Sequence, residues 1–97
     1  MWKFKDYAAG ETKDENRRKA KRLLIELQEK IPEIRSIEVG LNFNPTADAH
    51  DLVLYAEFED EAALEIYQNH PEHKKVVSFL QEVRSEKRVV DYWIKKI

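Results

Sequence analysis

The spacing of apolar residues changes period in a fixed order along this chain, and that order leaves few folds open. Trp2 and Phe4 alternate with Lys3 and Lys5, the two-residue period of a half-buried strand that begins abruptly at the first residue. Ala20, Leu23, Leu24, Leu27 and Ile31 then fall on one helical face, and Thr12 and Glu15 have capping-box spacing. A long helix over residues 12–31, stopped before Pro32, is the prediction. Ile37, Val39, Leu41 and Phe43 alternate with polar neighbours as a second strand over residues 37–43, which ends at the Asn44-Pro45 turn signal. A polar loop runs to about His50, and residues 52–58 are almost continuously apolar, as in a strand covered on both faces. Glu59, Asp60 and Glu61 open a short helix through Ala63, Leu64 and Tyr67. Pro71, favoured at a first helical position, starts another that carries Val76, Val77, Phe79, Leu80 and Val83. The charged residues 84–88 read as a connection, and the β-branched and aromatic residues 89–94 as the last strand.

Strand, helix, strand, strand, broken helix, strand is the ferredoxin-like β-α-β-β-α-β plan of an α+β fold, with a four-stranded antiparallel sheet and its helices on one face. Residues 1–97 show no repeat, low-complexity segment or linker, and are expected to form a single domain. The weakness of the plan is the second face of the sheet. Whichever of Leu52, Leu54, Ala56 and Phe58 or Val53 and Tyr55 faces the helices, apolar side chains remain on the other side. A homodimer that packs sheet on sheet, with Trp93 joining residues 37–43 and 52–58, would bury more than ~1,200 Å² in total.

Charged residues make up 37% of the chain, but 17 basic and 19 acidic side chains leave a net charge of only -2. That balance argues against nucleic acid as a partner. The cluster Arg17, Arg18, Lys19, Lys21 and Arg22 lies among Glu11, Asp14, Glu15 and Glu26, the pattern of a solvated helix face. There is no cysteine, so disulfides and thiolate metal sites are excluded, in keeping with a reducing compartment. No apolar run is long enough to span a membrane, and residues 1–5 lack the apolar core of a signal peptide. A soluble, cytoplasmic protein without a membrane partner is expected.

Side chains suited to proton transfer gather in one place. Tyr67, Gln68, Asn69, His70, Pro71, Glu72 and His73 hold two of the three histidines at a joint between helices. A helix N-terminus disfavours imidazolium, which keeps an imidazole neutral and able to accept a proton near pH 7. Competing structural roles exist for each residue: a cap for His70, and a core ring with a surface hydroxyl for Tyr67. His70 and His73 have the spacing of zinc ligands, with Glu72, His50 or Asp48 to complete a set, but Pro71 breaks the helix register between them. No metal or other cofactor is therefore assigned. Asp6, Asp48 and Asp51 read as turn and capping residues, and Trp2 and Trp93 as sheet packing.

In these residues the chain resembles the stress-responsive A/B barrel (Dabb) family of dimeric α+β barrels. The likeness runs through Trp2, Lys3, Phe4 and Lys5, through residues 32–40, through Asp51, Leu52, Val53 and Leu54, and through the joint at residues 67–73 with the closing Val90, Asp91 and Tyr92. Its specific part is the Tyr-x-x-His-Pro-x-His joint. The resemblance implies a homodimer whose two sheets enclose a barrel. Some plant members cyclise linear polyketides by aldol chemistry with the joint's tyrosine and second histidine, which makes Tyr67 and His73 the expected catalytic residues; His70, Trp2 and Phe4 are the expected binding residues. Some plant members also hold magnesium on main-chain carbonyls, here around residues 31–34. Relatives commonly carry several residues, including a histidine, ahead of the equivalent of Trp2, and the chain is expected to be a shortened form of a longer product. Three classes follow. The first is a homodimeric stress-associated protein that binds a small organic molecule in its barrel. Next is a polyketide-cyclase-like lyase acting on a carbonyl compound through Tyr67 and His73, and last an interaction module whose barrel is filled. A pocket of a few hundred Å³ reached by both side chains separates the first two from the third.

Overall fold

The computed structural model describes residues 1–94. Its elements are β1 (Trp2–Phe4), β2 (Tyr7–Ala8), β3 (Glu11–Thr12), α1 (Lys13–Lys30), β4 (Ile34–Leu41), β5 (Leu52–Phe58), α2 (Glu61–Asn69), α3 (Pro71–Val83) and β6 (Arg84–Lys87). The sheet has the order β4-β5-β1-β6 and every pairing in it is antiparallel, so the ferredoxin-like plan holds.

Local chemistry explains the helix ends. Thr12 caps α1 reciprocally: its Oγ1 accepts the Glu15 N–H at 3.3 Å, and the Glu15 carboxylate accepts the Thr12 N–H at 3.3 Å. Ala20, Leu24 and Leu27 turn into the core beneath. Pro71 occupies the first turn of α3, and the break between α2 and α3 falls where the proline requires it.

One small element was absent from the sequence reading. β2 and β3 form a hairpin whose two central residues, Ala9 and Gly10, both have positive φ, 52° and 76°. The left-handed turn suits the glycine and strains the alanine, and an Ala-Gly pair is not the usual signature of such a turn. Buried Asn16 ties the hairpin to α1 by donating to the Ala8 carbonyl at 2.9 Å.

Two strand boundaries differ from expectation. β4 spans Ile34–Leu41 rather than 37–43, and Phe43 is 99% exposed. Asn42 and Asn44 end the strand, their side chains accepting the N–H groups of Asn44 at 2.9 Å and Thr46 at 3.0 Å. The final strand is the charged run Arg84–Lys87, whereas residues 89–94 lie outside any strand. Val83 is fully buried and Arg84 already extended, so the chain leaves α3 directly into the sheet. There it pairs with β1 in the register Trp2 to Lys87, Lys3 to Glu86 and Phe4 to Arg84. Propensity favoured the apolar residues; an edge strand tolerates, and gains protection from, the charged ones.

The β4–β5 ladder matches Ile37 to Ala56, Val39 to Leu54 and Leu41 to Leu52, which puts these six residues on one face. Trp2, Phe4, Val39 and Leu52 on that side are buried under the helices with Leu27, Val76, Leu80 and Val83. Ser36, Glu38, Gly40, Val53, Tyr55 and Glu57 fall on the other face, which is therefore mixed rather than apolar throughout.

Candidate functional site

The Pro71 break gives its two flanking histidines different duties. His70 is the C-cap of α2, donating its N–H to the Tyr67 carbonyl at 3.2 Å, and the N-cap of α3, its Nδ1 accepting the Glu72 N–H at 3.1 Å. Both ends of its joint are thereby satisfied by one residue. His73, one turn into α3, swings its ring onto that of Tyr67 with 4.2 Å between centroids and a tilt of 42°. Phe58, from the end of β5, packs on Tyr67 at 4.9 Å and 48°. The row Phe58, Tyr67, His73 thus bridges sheet, α2 and α3.

This row borders a cavity of about 860 Å³ between β5, the two helices and residues 87–94, with Trp2, Leu54 and Leu80 among its walls. Tyr67 is 6% exposed, and burial pushes its hydroxyl up to about 12. At neutral pH it is a hydrogen-bond donor, not an anion. Burial holds His73 below the ordinary histidine value, opposed by its bond to the Gln68 carbonyl and assisted by Lys87 and His70 nearby. That bond, 3.2 Å from His73 Nδ1 to the Gln68 oxygen, decides the tautomer. A carbonyl can only accept, so Nδ1 carries the hydrogen and Nε2 of the neutral ring carries a lone pair. The pair therefore offers one neutral donor and one acceptor or base side by side.

The structure brings Tyr67, His73 and Trp2 to one cavity, and not the other two expected binding residues. His70 is outside the wall and acts as the cap, and Phe4 is a core residue, 3% exposed, that does not reach the opening. Phe58, the Gln68 carbonyl and Lys87 escaped the sequence reading. Phe58 stood in an apolar strand without a mark of its own, a main-chain acceptor leaves no side-chain signal, and Lys87 came to the site only because β6 begins at Arg84.

No group of three His, Cys, Asp or Glu side chains able to hold an ion occurs among the described residues. At the turn after α1 the Leu27 and Ile31 carbonyls accept the N–H groups of Ile31 at 2.9 Å and Ile34 at 3.2 Å. Of the carbonyls of residues 31–34, that of Ile31 thus already accepts one hydrogen bond within the chain. Among the described residues, no helix is long and apolar enough to cross a membrane.

Comparison with known proteins agrees with the fold. The family model of the stress responsive A/B barrel domain matches residues 1–94. A crystal structure from Bacteroides fragilis NCTC 9343, described as a dimeric protein of unknown function with a ferredoxin-like fold, is 34% identical with a TM-score of 0.84, over 96% of this chain and 89% of that one. A dimeric ferredoxin-like protein of unknown function from Thermobifida fusca YX is 21% identical with a TM-score of 0.73, over 89% of this chain and 77% of the other, and bears on the fold alone. No curated protein sequence matches significantly.

Proposed function

The chain belongs to the stress-responsive A/B barrel (Dabb) family, and from that premise we propose a homodimeric, cytoplasmic protein, one domain over residues 1–97, that binds a small organic molecule in the cavity beside Tyr67 and His73. One observation carries the reading: a donor and an acceptor, rings 4.2 Å apart, border an opening of about 860 Å³ whose wall beside them is apolar at Leu54, Phe58 and Leu80 and charged at Glu57, Arg84 and Lys87. Such an arrangement suits a ligand with an apolar body and one oxygen that accepts from Tyr67. The dimer draws support from the relative at 34% identity, described as dimeric, and from Val53 and Tyr55 on the open sheet face.

The lone pair on His73 Nε2 favours a second reading as a lyase or cyclase on a carbonyl compound. In that reaction Nε2 takes the proton alpha to the carbonyl while the Tyr67 hydroxyl donates to the oxygen on which charge develops. A buried neutral tyrosine and a histidine held below its usual pKa are in the right protonation states for these roles. Calorimetric titration with a series of aryl ketones, repeated on Tyr67→Phe and His73→Ala, tests both readings. Binding by the native chain that weakens about 10-fold in Tyr67→Phe is the expected result; heat-silent titrations across the series would remove the binding reading. Turnover of a ketone that drops about 10²-fold or more in His73→Ala would promote the second reading over the first.

A further inference from the structure

Arg84 and Lys87 are three residues apart in β6, a spacing that regular alternation would send to opposite faces of the sheet. The β1–β6 ladder is irregular at this point: Lys87 stands opposite Trp2 and Glu86 opposite Lys3, but Arg84 stands opposite Phe4. β6 thus uses one residue more than β1, as in a bulge, and residues directly opposite share a face. Both cations are therefore on the helix-facing side with Trp2 and Phe4, and both border the cavity. At about 3.3 Å per residue their Cα atoms are no more than about 10 Å apart, so the ends of two long side chains can meet on one group. Lys87 is also near enough to His73 for its charge to help disfavour the imidazolium. Among the described residues neither Arg84 nor Lys87 makes an ion pair, since Glu86 goes to the other face and pairs there with Lys3 and Arg88. The other carboxylates of the wall gather where β5 ends and are engaged: Glu57 accepts from the Ser36 hydroxyl at 2.9 Å, Glu59 pairs with Arg35 at 3.2 Å, and Asp60 caps α2. Lys87 is level with Leu52 across Trp2, and Glu57 lies about 17 Å further along β5. Asp91 borders the cavity beyond Lys87 and pairs with neither cation.

We propose that the ligand is an organic acid whose carboxylate is received by Arg84 and Lys87 together, with its apolar body along Leu54 and Phe58 and a carbonyl oxygen at Tyr67. The inference rests on the reading of this cavity as a ligand site and adds the charge of what enters it. Two cations on one side of a short strand repel each other, and an anion between them turns that repulsion into two charge-assisted hydrogen bonds. The guanidinium presents paired N–H donors that match a carboxylate, and the half-buried position of Arg84 keeps water from competing fully. Guarding a sheet edge explains charge on β6 but not its placement, because that purpose needs neither a bulge nor a common side. A phosphate is the poorer guest. It is held best by free N–H groups at a helix start, and the starts of α2 and α3 are closed by Asp60, which accepts the Ala63 N–H at 2.8 Å, and by His70.

Calorimetry on the intact chain compares benzoylpropionic acid and its longer homologue benzoylvaleric acid, each against its own methyl ester. The same titrations are run on Arg84→Gln/Lys87→Gln and on Lys74→Gln, which removes a charge from an exposed side chain away from the cavity. The expected result is an acid that binds the native chain about 10-fold or more tighter than its ester, a preference that falls below about 3-fold in the double variant and persists in Lys74→Gln. Because the preference is a ratio within one protein, a loss of stability that weakens acid and ester alike does not imitate it. Circular dichroism checks the fold of the double variant, and Lys87→Gln alone, expected to lower the ratio at least about 3-fold, replaces it if the fold is lost. Esters that bind as tightly as their acids overturn the proposal and leave the ligand site standing. An acid preference that survives in the double variant overturns it too, because the anion then lies elsewhere. Acids and esters that all fail to bind remove the ligand site itself, and the proposal with it.

Discussion

On one side of the sheet Trp2, Phe4, Val39 and Leu52 are each less than a tenth exposed; one residue along the same strands, Val53 is 44% exposed and Tyr55 39%. The helix-facing side is closed by α1 and α3 from within the chain. The other side sets Tyr55 opposite Glu38, bonds Ser36 to Glu57 at 2.9 Å and pairs Lys3 with Glu86 at 3.7 Å. Strand alternation fixes which residues go to which side, but only the closed side is apolar enough to need cover. The open side has the mixed composition of a non-obligate interface rather than of a core cut in half. Folding therefore rests on the closed side, and the dimer proposed above would draw on other residues of the same strands.

Adjacent substitutions break that comparison most sharply. Leu52→Ala should cost about 3 kcal/mol of stability, because Leu52 is 1% exposed and the helices above it cannot collapse fully into the cavity. Val53→Ala, on the other side, should cost less than ~1 kcal/mol. Urea unfolding of the two variants decides it, and equal losses would mean that both faces are core. Next in size is an effect on assembly alone. Tyr55→Asp should weaken the proposed dimer at least ~10-fold, about 1.4 kcal/mol, by placing a carboxylate near Glu38 and Glu57 and leaving it to be desolvated. Sedimentation equilibrium that shows an undiminished dimer would move the interface to another surface.

The fold was legible because its cues are local and mutually consistent. Thr12 with Glu15 marked the start of α1, Pro32 its end and Pro71 the joint; alternating apolar residues located β1 and most of β4, and a continuous apolar run located β5. What escaped was decided by partners in space. Residues 89–94 carry the stronger strand propensity, yet Arg84–Lys87 hold the place beside β1 because α3 delivers them there. The Ala9-Gly10 turn gives little signal, since one of its two left-handed residues is an alanine. At the site, the sequence displayed Tyr67 and His73 as neighbours at a joint and offered capping as one role for His70, but could not settle the division of work between the two histidines. That division rests on two main-chain groups, the Glu72 N–H that engages His70 and the Gln68 carbonyl that engages His73.

Titration carries the comparison of the two faces to the site itself. Tyr67 belongs to the closed side, and its ionisation at about 12 against an ordinary value of 10 makes it a reporter of that closure. The unfolded chain loses the Tyr67 proton first, so this residue's contribution is intact below pH 10 and is lost as the pH rises toward 12. Two pKa units correspond to at most about 2.7 kcal/mol. Spectrophotometric titration of the native chain against Tyr67→Phe should assign the missing tyrosinate step to the top of that range. A step near 10 would show the ring open to water.

The smallest expected effect is at His73, where the closed side meets the cavity. Its folded-state pKa lies below 6.5, chiefly because burial disfavours the cation, so the unfolded state binds the proton first as the pH falls. Stability rises with pH wherever the unfolded state holds more protons, and it should therefore decline from pH 7 downward through the window that opens at 6.5. The carboxylates held low by neighbouring cations, such as Glu72 beside Lys75, enter only below the ordinary glutamate value of 4.5, so the windows separate. His73→Gln, which retains a polar group without the titration, should flatten the decline between pH 7 and 5 while leaving the acid limb in place. Parallel curves for the two proteins would mean that His73 is solvated like a surface residue. The cavity beside Tyr67 would then be an extension of the open face, and a base at Nε2 would have water for a competitor.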